Sequence, residues 1–368
     1  VRFHLMTFII WTHWMGKWGL NNNRAGWAFL SWSFSFHVIG FVFLSGVFSH
    51  GYAAKGFDGL QRVFVRCLDL LIVYVAFSWL RGLADYLLAS QRVGLGRVIV
   101  SVIQGTFMFH QGPWYLAALF FWRLSAMALW WVPALFAVSV VISIACPYHS
   151  LQTINDPCAL REFLHYLPYF SLGLLCGRQR LESGIAFFGQ LTPWIGAATL
   201  LVVAFVIWFP LSFLYEDESL RWILLKKDRP PTDAGGIWTM LALFAAKIVA
   251  TCAALGLFST PCGFQFVDRI CEAAGKRSMT VYMVHMVFIM VPGDVLCVED
   301  IFESPAREHG LAMTILLLVL AVVANLLCGS DFTAFIFRPL IEPLKTLRLL
   351  PSGRGKAPSG LPTAAHGK

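Results

Sequence analysis

The chain has 368 residues, 58% hydrophobic and 13% charged, with a mean hydropathy of +0.69, whereas charged residues make up about 25% of an ordinary soluble domain. This composition excludes a water-soluble globule, and it equally excludes collagen, disorder and a disulfide scaffold. The net charge of +8 and pI of 9.1 come from basic residues at span ends and in the tail, which match anionic lipid headgroups and imply no nucleic acid.

A bilayer core about 30 Å thick takes ~20 mostly apolar residues per helix. About ten runs meet that need, near residues 3–20, 27–48, 64–83, 97–121, 123–147, 165–178, 187–213, 236–258, 278–293 and 311–329. The sequence therefore predicts an all-α polytopic membrane protein with about ten transmembrane helices in one bundle. Gly112-Pro113 and Trp131-Val132-Pro133 interrupt one long apolar stretch, as a broken helix or a turn. The first run begins at once after Val1, so the natural N-terminus is expected to be missing. Residues 1–347 form the expected transmembrane domain and 348–368 a disordered basic tail.

Basic residues set the orientation. The tail carries Arg348, Arg354, Lys356 and Lys368, whereas the segment before the last span carries Asp294, Glu299, Asp300, Glu303 and Glu308. The C-terminus of this multi-pass chain is then expected in the cytoplasm, with Lys55, Arg62, Arg66, Arg178, Arg180, Lys276 and Arg277 on the same side. Lys17, Arg24, Arg92 and Arg97 fall outside, against the rule. The nine cysteines form no CxxC pair, and Cys67, Cys176, Cys252 and Cys328 lie in apolar runs as small packing residues.

Ionisable groups inside spans are costly and mark candidate functional positions. Arg2 and His13 are eleven residues apart, about 20° from eclipsed on one helix face and about 16 Å apart along it. If the polar turn Asn21 to Gly26 marks the membrane surface, His13 and His37 differ in depth by only about 6 Å. Two imidazoles on adjacent spans thus share a level of the bilayer. Ser45-Gly46 is a small pair that permits close helix approach. Arg62 and Arg66, at i,i+4, present two cations on one face, suited to an anion or to positive-inside anchoring. Ser278, Tyr282 and His285 share a face of a short span, and Arg123 stands in an apolar run without an assignable partner. No phosphate loop, HExxH, GxSxG or intraspan carboxylate pair occurs, so no metal is expected.

In this order, Arg2 with His13, Phe36-His37 leading to Ser45-Gly46, the basic Arg62 and Arg66, Trp114-Tyr115-Leu116, Tyr169-Phe170 with Gly173, and Gly275, Ser278, Tyr282 and His285 resemble the acyltransferase-3 family of integral membrane O-acyltransferases, especially its fucose 4-O-acetylase-like branch. The resemblance runs from residue 2 to residue 285. It departs at His37-Val38-Ile39, where the family carries a proline, at Tyr115, where phenylalanine is common, and in the long polar segments 148–164 and 214–235.

The resemblance implies transfer of an acyl group, usually acetyl from acetyl-CoA, to a hydroxyl of a carbohydrate or lipid-linked acceptor. His13 is then the expected base, acting directly on the acceptor or carrying the acyl group, because imidazole titrates near neutrality. His37 is the second catalytic candidate, orienting His13 or protonating the leaving thiolate. Arg2, Arg62 and Arg66 would hold the phosphates of coenzyme A, and Trp114, Ser278, Tyr282 and His285 would line the substrate pocket. The alternative from the residues alone is a proton-coupled transporter of a sugar or organic anion.

Overall fold

A computed structural model describes residues 1–17, 24–53, 60–88, 96, 99–100, 114–129, 135–145, 160–190, 193–203, 234–261, 263–285 and 309–343. The expected tail, 348–368, lies outside these residues, as do 18–23 and 286–308. Among the described residues every regular element is helical: α1 (Arg2–Lys17), α2 (Arg24–Phe34), α3 (His37–Ala53), α4 (Leu60–Leu88), α5 (Trp114–Leu129), α6 (Leu135–Ala145), α7 (Leu160–Gln190), α8 (Pro193–Val203), α9 (Ala234–Ser259), α10 (Gln265–Lys276), the helical segment 278–285, α11 (Gly310–Cys328) and α12 (Asp331–Ile341). Helix is the required outcome for apolar segments that cannot hand backbone N–H and C=O groups to water.

Among the described residues, three stretches are long and apolar enough to cross a bilayer: Gly26–Gly51, Leu241–Ser259 and Gly310–Cys328. A shorter apolar helix spans Cys67–Leu80. The expected count of about ten is therefore supported by length and composition at three places. On α11, Leu311, Ile315, Val319, Val323 and Leu327 are exposed, a continuous apolar face suited to lipid.

The first long stretch is bent. Ser35 N–H donates to Trp32 O at 3.1 Å and Phe36 N–H to Ser33 O at 3.2 Å, a tight turn between α2 and α3, before Gly40 N–H to Phe36 O restores the helical pattern. The bend places His37 at the first position of α3 and leaves Ser33 O in reach of its ring.

Helices α3 and α7 meet backbone to backbone. A Cβ on Gly46 would lie 2.1 Å from Phe170 O, and one on Gly173 would lie 2.0 Å from Phe43 O. Farther along, Gly177 (φ 64°) breaks α7 in the left-handed region open to glycine. Near the break, His50 Nδ1–H donates to Leu174 O at 2.8 Å.

Polar ties lock α1 antiparallel to α11. Trp11 Nε1–H donates to Thr314 O at 3.0 Å, and the Asn325 amide donates to Phe3 O and Thr7 Oγ1, each at 2.8 Å. Asn325→Ala is expected to cost about 1–3 kcal/mol, because Asn325 is fully buried and its amide supplies the two hydrogen bonds that tie Phe3 O and the Thr7 hydroxyl of α1 to α11. Thermal unfolding in detergent measures the loss. At the same end of the bundle, Arg277 donates to Gly329 O at 2.8 Å and pairs with Asp331. Gly275 lies against Phe3 N and Arg2, so α1, α10 and α11 converge here, which we call the Arg2 end.

Candidate active site

Two clusters of buried side chains leave a cavity between them. One joins α3, α4, α5 and α7 around Val42, Tyr74, Trp122 and Phe170, and the other joins α1, α2, the segment 278–285 and α11 around Ile10, Trp11, Trp27 and Leu317. Tyr282 packs against both. The cavity has a volume of about 300 Å³, and its wall includes Arg2, His13, His37, Trp114, Ser278 and Tyr282, six of the nine residues singled out from sequence. Arg62 and Arg66 belong to α4, but their side chains lie outside the described residues. His285 is absent from the wall. It is fully buried beside His13, with the two ring centroids 5.7 Å apart. The sequence placed it on the same face as Ser278 and Tyr282; in the fold it backs a lining residue instead.

The imidazoles differ in their settings. His13 is exposed to the cavity, whereas His37 is 1% exposed. The Nδ1 of His37 lies 2.5 Å from Ser33 O, and because a carbonyl only accepts, that nitrogen carries the proton. Its Nε2 lies 3.3 Å from the Thr12 hydroxyl, whose own proton is donated to Ile9 O at 3.0 Å. His285 follows the same logic: Nδ1–H donates to Val281 O at 3.0 Å, which puts the lone pair on Nε2, a buried atom without a hydrogen-bond partner among the described residues. Each buried ring thus has its Nδ1–H fixed by a backbone carbonyl four residues earlier, Ser33 O for His37 and Val281 O for His285.

The polar wall continues on α3 and α5. Ser45 Oγ donates to Phe41 O at 2.9 Å and so accepts from the Tyr115 hydroxyl at 2.5 Å. Tyr115 in turn stands edge-on to Tyr282, with 5.5 Å between ring centroids. The serine of Ser45-Gly46 therefore ties α3 to α5 while the glycine admits α7.

Among the described residues three cations line the cavity, Arg2, Arg123 and Lys276, and no Asp or Glu does. The Arg2 guanidinium sits 4.6 Å above the Phe48 ring, a cation–π contact. Arg123 reaches the cavity from α5, and its buried Nε has no hydrogen-bond partner among the described residues. Lys276 Nζ lies 2.7 Å from Glu272 and holds that exposed carboxyl below its ordinary range by hydrogen bonding and charge. Sequence reasoning left Arg123 unassigned and read Lys276 only as an anchor. Their shared cavity depends on how α5 and α10 pack, which no local pattern encodes.

A cavity that, among the described residues, is lined by two imidazoles and three cations and no carboxylate can bind an anion and deprotonate a neutral group. A search of curated proteins and one of solved structures each give no match. A family model described as an acyltransferase domain, acyltransferase-3, matches residues 1–330. The match covers both histidines of the cavity wall and all three cations, gives no support to the transporter alternative, and shows that the chain belongs to the acyltransferase-3 family, as a membrane acyltransferase.

Proposed function

We propose that the chain transfers an acetyl group from acetyl-CoA to a hydroxyl of a carbohydrate or lipid-linked acceptor, with the Arg2 end in the cytoplasm. The observation that carries this reading is the one cavity wall that, among the described residues, holds His13 and His37 together with Arg2, Arg123 and Lys276 and no carboxylate. Arg2 and His13 stand about 16 Å apart along α1. A donor whose phosphates rest at Arg2 can extend its phosphopantetheine arm along the helix and present a thioester at the imidazoles.

His13 accepts the proton of the acceptor hydroxyl as its oxygen attacks the thioester carbon. The tetrahedral intermediate collapses with cleavage of the C–S bond, and the departing thiolate takes a proton from an imidazolium. His37, held by Ser33 O and facing Thr12, orients this exchange, and His285 supports the His13 ring from behind. Arg62 and Arg66 add charge for the donor phosphates, while Trp114, Ser278 and Tyr282 contact the acceptor.

The test is thiol release from acetyl-CoA by the full chain in detergent, with a panel of sugar and lipid-linked hydroxyl acceptors. Release without a sealed membrane supports the proposal; activity seen only across a sealed membrane overturns it. Arg2→Gln is expected to weaken acetyl-CoA binding roughly tenfold, a loss of about 1.4 kcal/mol, with a smaller effect on kcat. The pair Arg62→Ala with Arg66→Ala should likewise raise KM more than it lowers kcat, and the reverse pattern removes both from the phosphate role.

A further inference from the structure

We propose that Arg123 is a diphosphate-binding residue, a guanidinium that holds the diphosphate of the acyl donor together with Arg2. This inference rests on the acyl-CoA reading above and gives a role to a cation that no sequence motif accounts for. Arg123 stands in the apolar run Phe120-Phe121-Trp122-Arg123-Leu124 of α5. Its Nε is buried with no hydrogen-bond partner among the described residues, and no Asp or Glu among them lines the cavity. A buried cation left short of acceptors costs stability. A ligand that brings acceptors into the cavity recovers that cost.

Helical register places Arg123 at the Arg2 end. Tyr115, Leu119 and Arg123 line the cavity at i, i+4 and i+8 of α5, so Arg123 lies about 12 Å along the axis from Tyr115, which bonds Ser45 midway along α3. The direction follows from α4. Phe120 shares a buried cluster with Cys67, and its ring centroid is 6.3 Å from that of Phe64; both partners belong to the first turns of α4. Helix α3 runs from His37 toward Phe48, which lies under Arg2. The chain from Ala53 to Leu60 is too short to cross a core about 30 Å thick. Helix α4 therefore begins at the Arg2 end, and α5 delivers Arg123 there. Lys276 is already paired with Glu272 at 2.7 Å, whereas Arg2 rests on the Phe48 ring. That leaves two guanidinia, which suit the two phosphoryl groups of a diphosphate because each can accept bidentate bonds. The pantetheine arm separates this diphosphate from the thioester, as about 16 Å of α1 separates Arg2 from His13.

Calorimetry on the full chain in detergent tests this with coenzyme A and with dephospho-coenzyme A, which keeps the diphosphate and lacks the 3′-phosphate. Thermal unfolding without ligand accompanies it. Arg123→Met is expected to weaken both probes at least about tenfold and to leave the ligand-free midpoint at or above wild type, because it removes a buried cation and keeps an apolar stem. Arg123→Gln should weaken both probes likewise. Arg123→Lys, which keeps the charge without the fork, should weaken them less. A ligand-free midpoint lowered in both Arg123→Met and Arg123→Gln marks a structural cation and overturns the proposal. Loss confined to coenzyme A assigns Arg123 to the 3′-phosphate and also overturns it. Donor affinity unchanged in Arg123→Met overturns it while leaving the acyl-CoA reading in place, and a raised acceptor KM in that variant then reassigns Arg123 to an anionic acceptor. Wild-type protein that binds neither probe overturns both.

Discussion

His13→Ala is expected to lower acetyl transfer by about 10²- to 10⁴-fold, the usual contribution of a positioned acid–base group, while leaving acetyl-CoA binding close to wild type. The split follows from the geometry. His13 is exposed to the cavity, and Arg2, the cation nearest the donor phosphates in this reading, lies eleven residues away on the same helix. Removing the imidazole takes away the base without touching the anion site. His37→Ala should also fall sharply, but with a cost in stability, because His37 is buried, bonded to Ser33 and 3.3 Å from the Thr12 hydroxyl. His285→Ala should show a smaller fall in kcat with an altered pH profile, since its ring lies behind His13 and not on the cavity wall. Thiol release, donor affinity by calorimetry and elution as a single species separate these effects. Turnover of His13→Ala at the wild-type rate removes His13 from the chemistry.

Much of this site was legible because depth in a bilayer can be counted. The eleven residues from Arg2 to His13, and depths for His13 and His37 within about 6 Å of each other, follow from helical rise and the position of a polar turn; the fold brings both rings to one cavity. Ser45-Gly46 signalled a close approach, but its partner, Gly173, could be identified only once α3 and α7 were seen together. The bend at Ser35 and Phe36 has no proline or glycine to announce it, although it gives His37 its carbonyl partner. His285 was grouped with Ser278 and Tyr282 by helical period, yet period fixes a face and not the neighbour that covers it; His13 stands beside the ring. Arg123 could not be assigned because the rest of the cavity wall comes from other elements. Cys67 is buried, as a packing residue should be.

Gly173→Ala is expected to be the most destabilising single methyl addition in the chain's described helices. A Cβ at this position would meet Phe43 O at 2.0 Å, and at Gly46 it would meet Phe170 O at 2.1 Å, distances that neither a rotamer change nor a side-chain shift relieves because the obstacle is backbone. The helices must move apart. Overpacking of this kind costs about 1–3 kcal/mol and occasionally more, and separation also unseats the packing that holds Phe43, Val47 and Phe170 in the buried interior. Activity should fall with stability, since α3 carries His37 and Ser45 to the cavity wall. The double variant Gly46→Ala with Gly173→Ala should cost less than the sum of the two, because one outward shift of α3 from α7 relieves both clashes. Gly184→Ala and Gly51→Ala are the controls: a Cβ there meets nothing within 4 Å, and both lie in helical segments where alanine is favoured over glycine. Thermal unfolding in one detergent orders the set. If Gly173→Ala melts with Gly184→Ala, the backbone contact does not limit how closely these helices pack; a large gap between them identifies the paired glycines as the reason α3 holds its histidine where the cavity needs it.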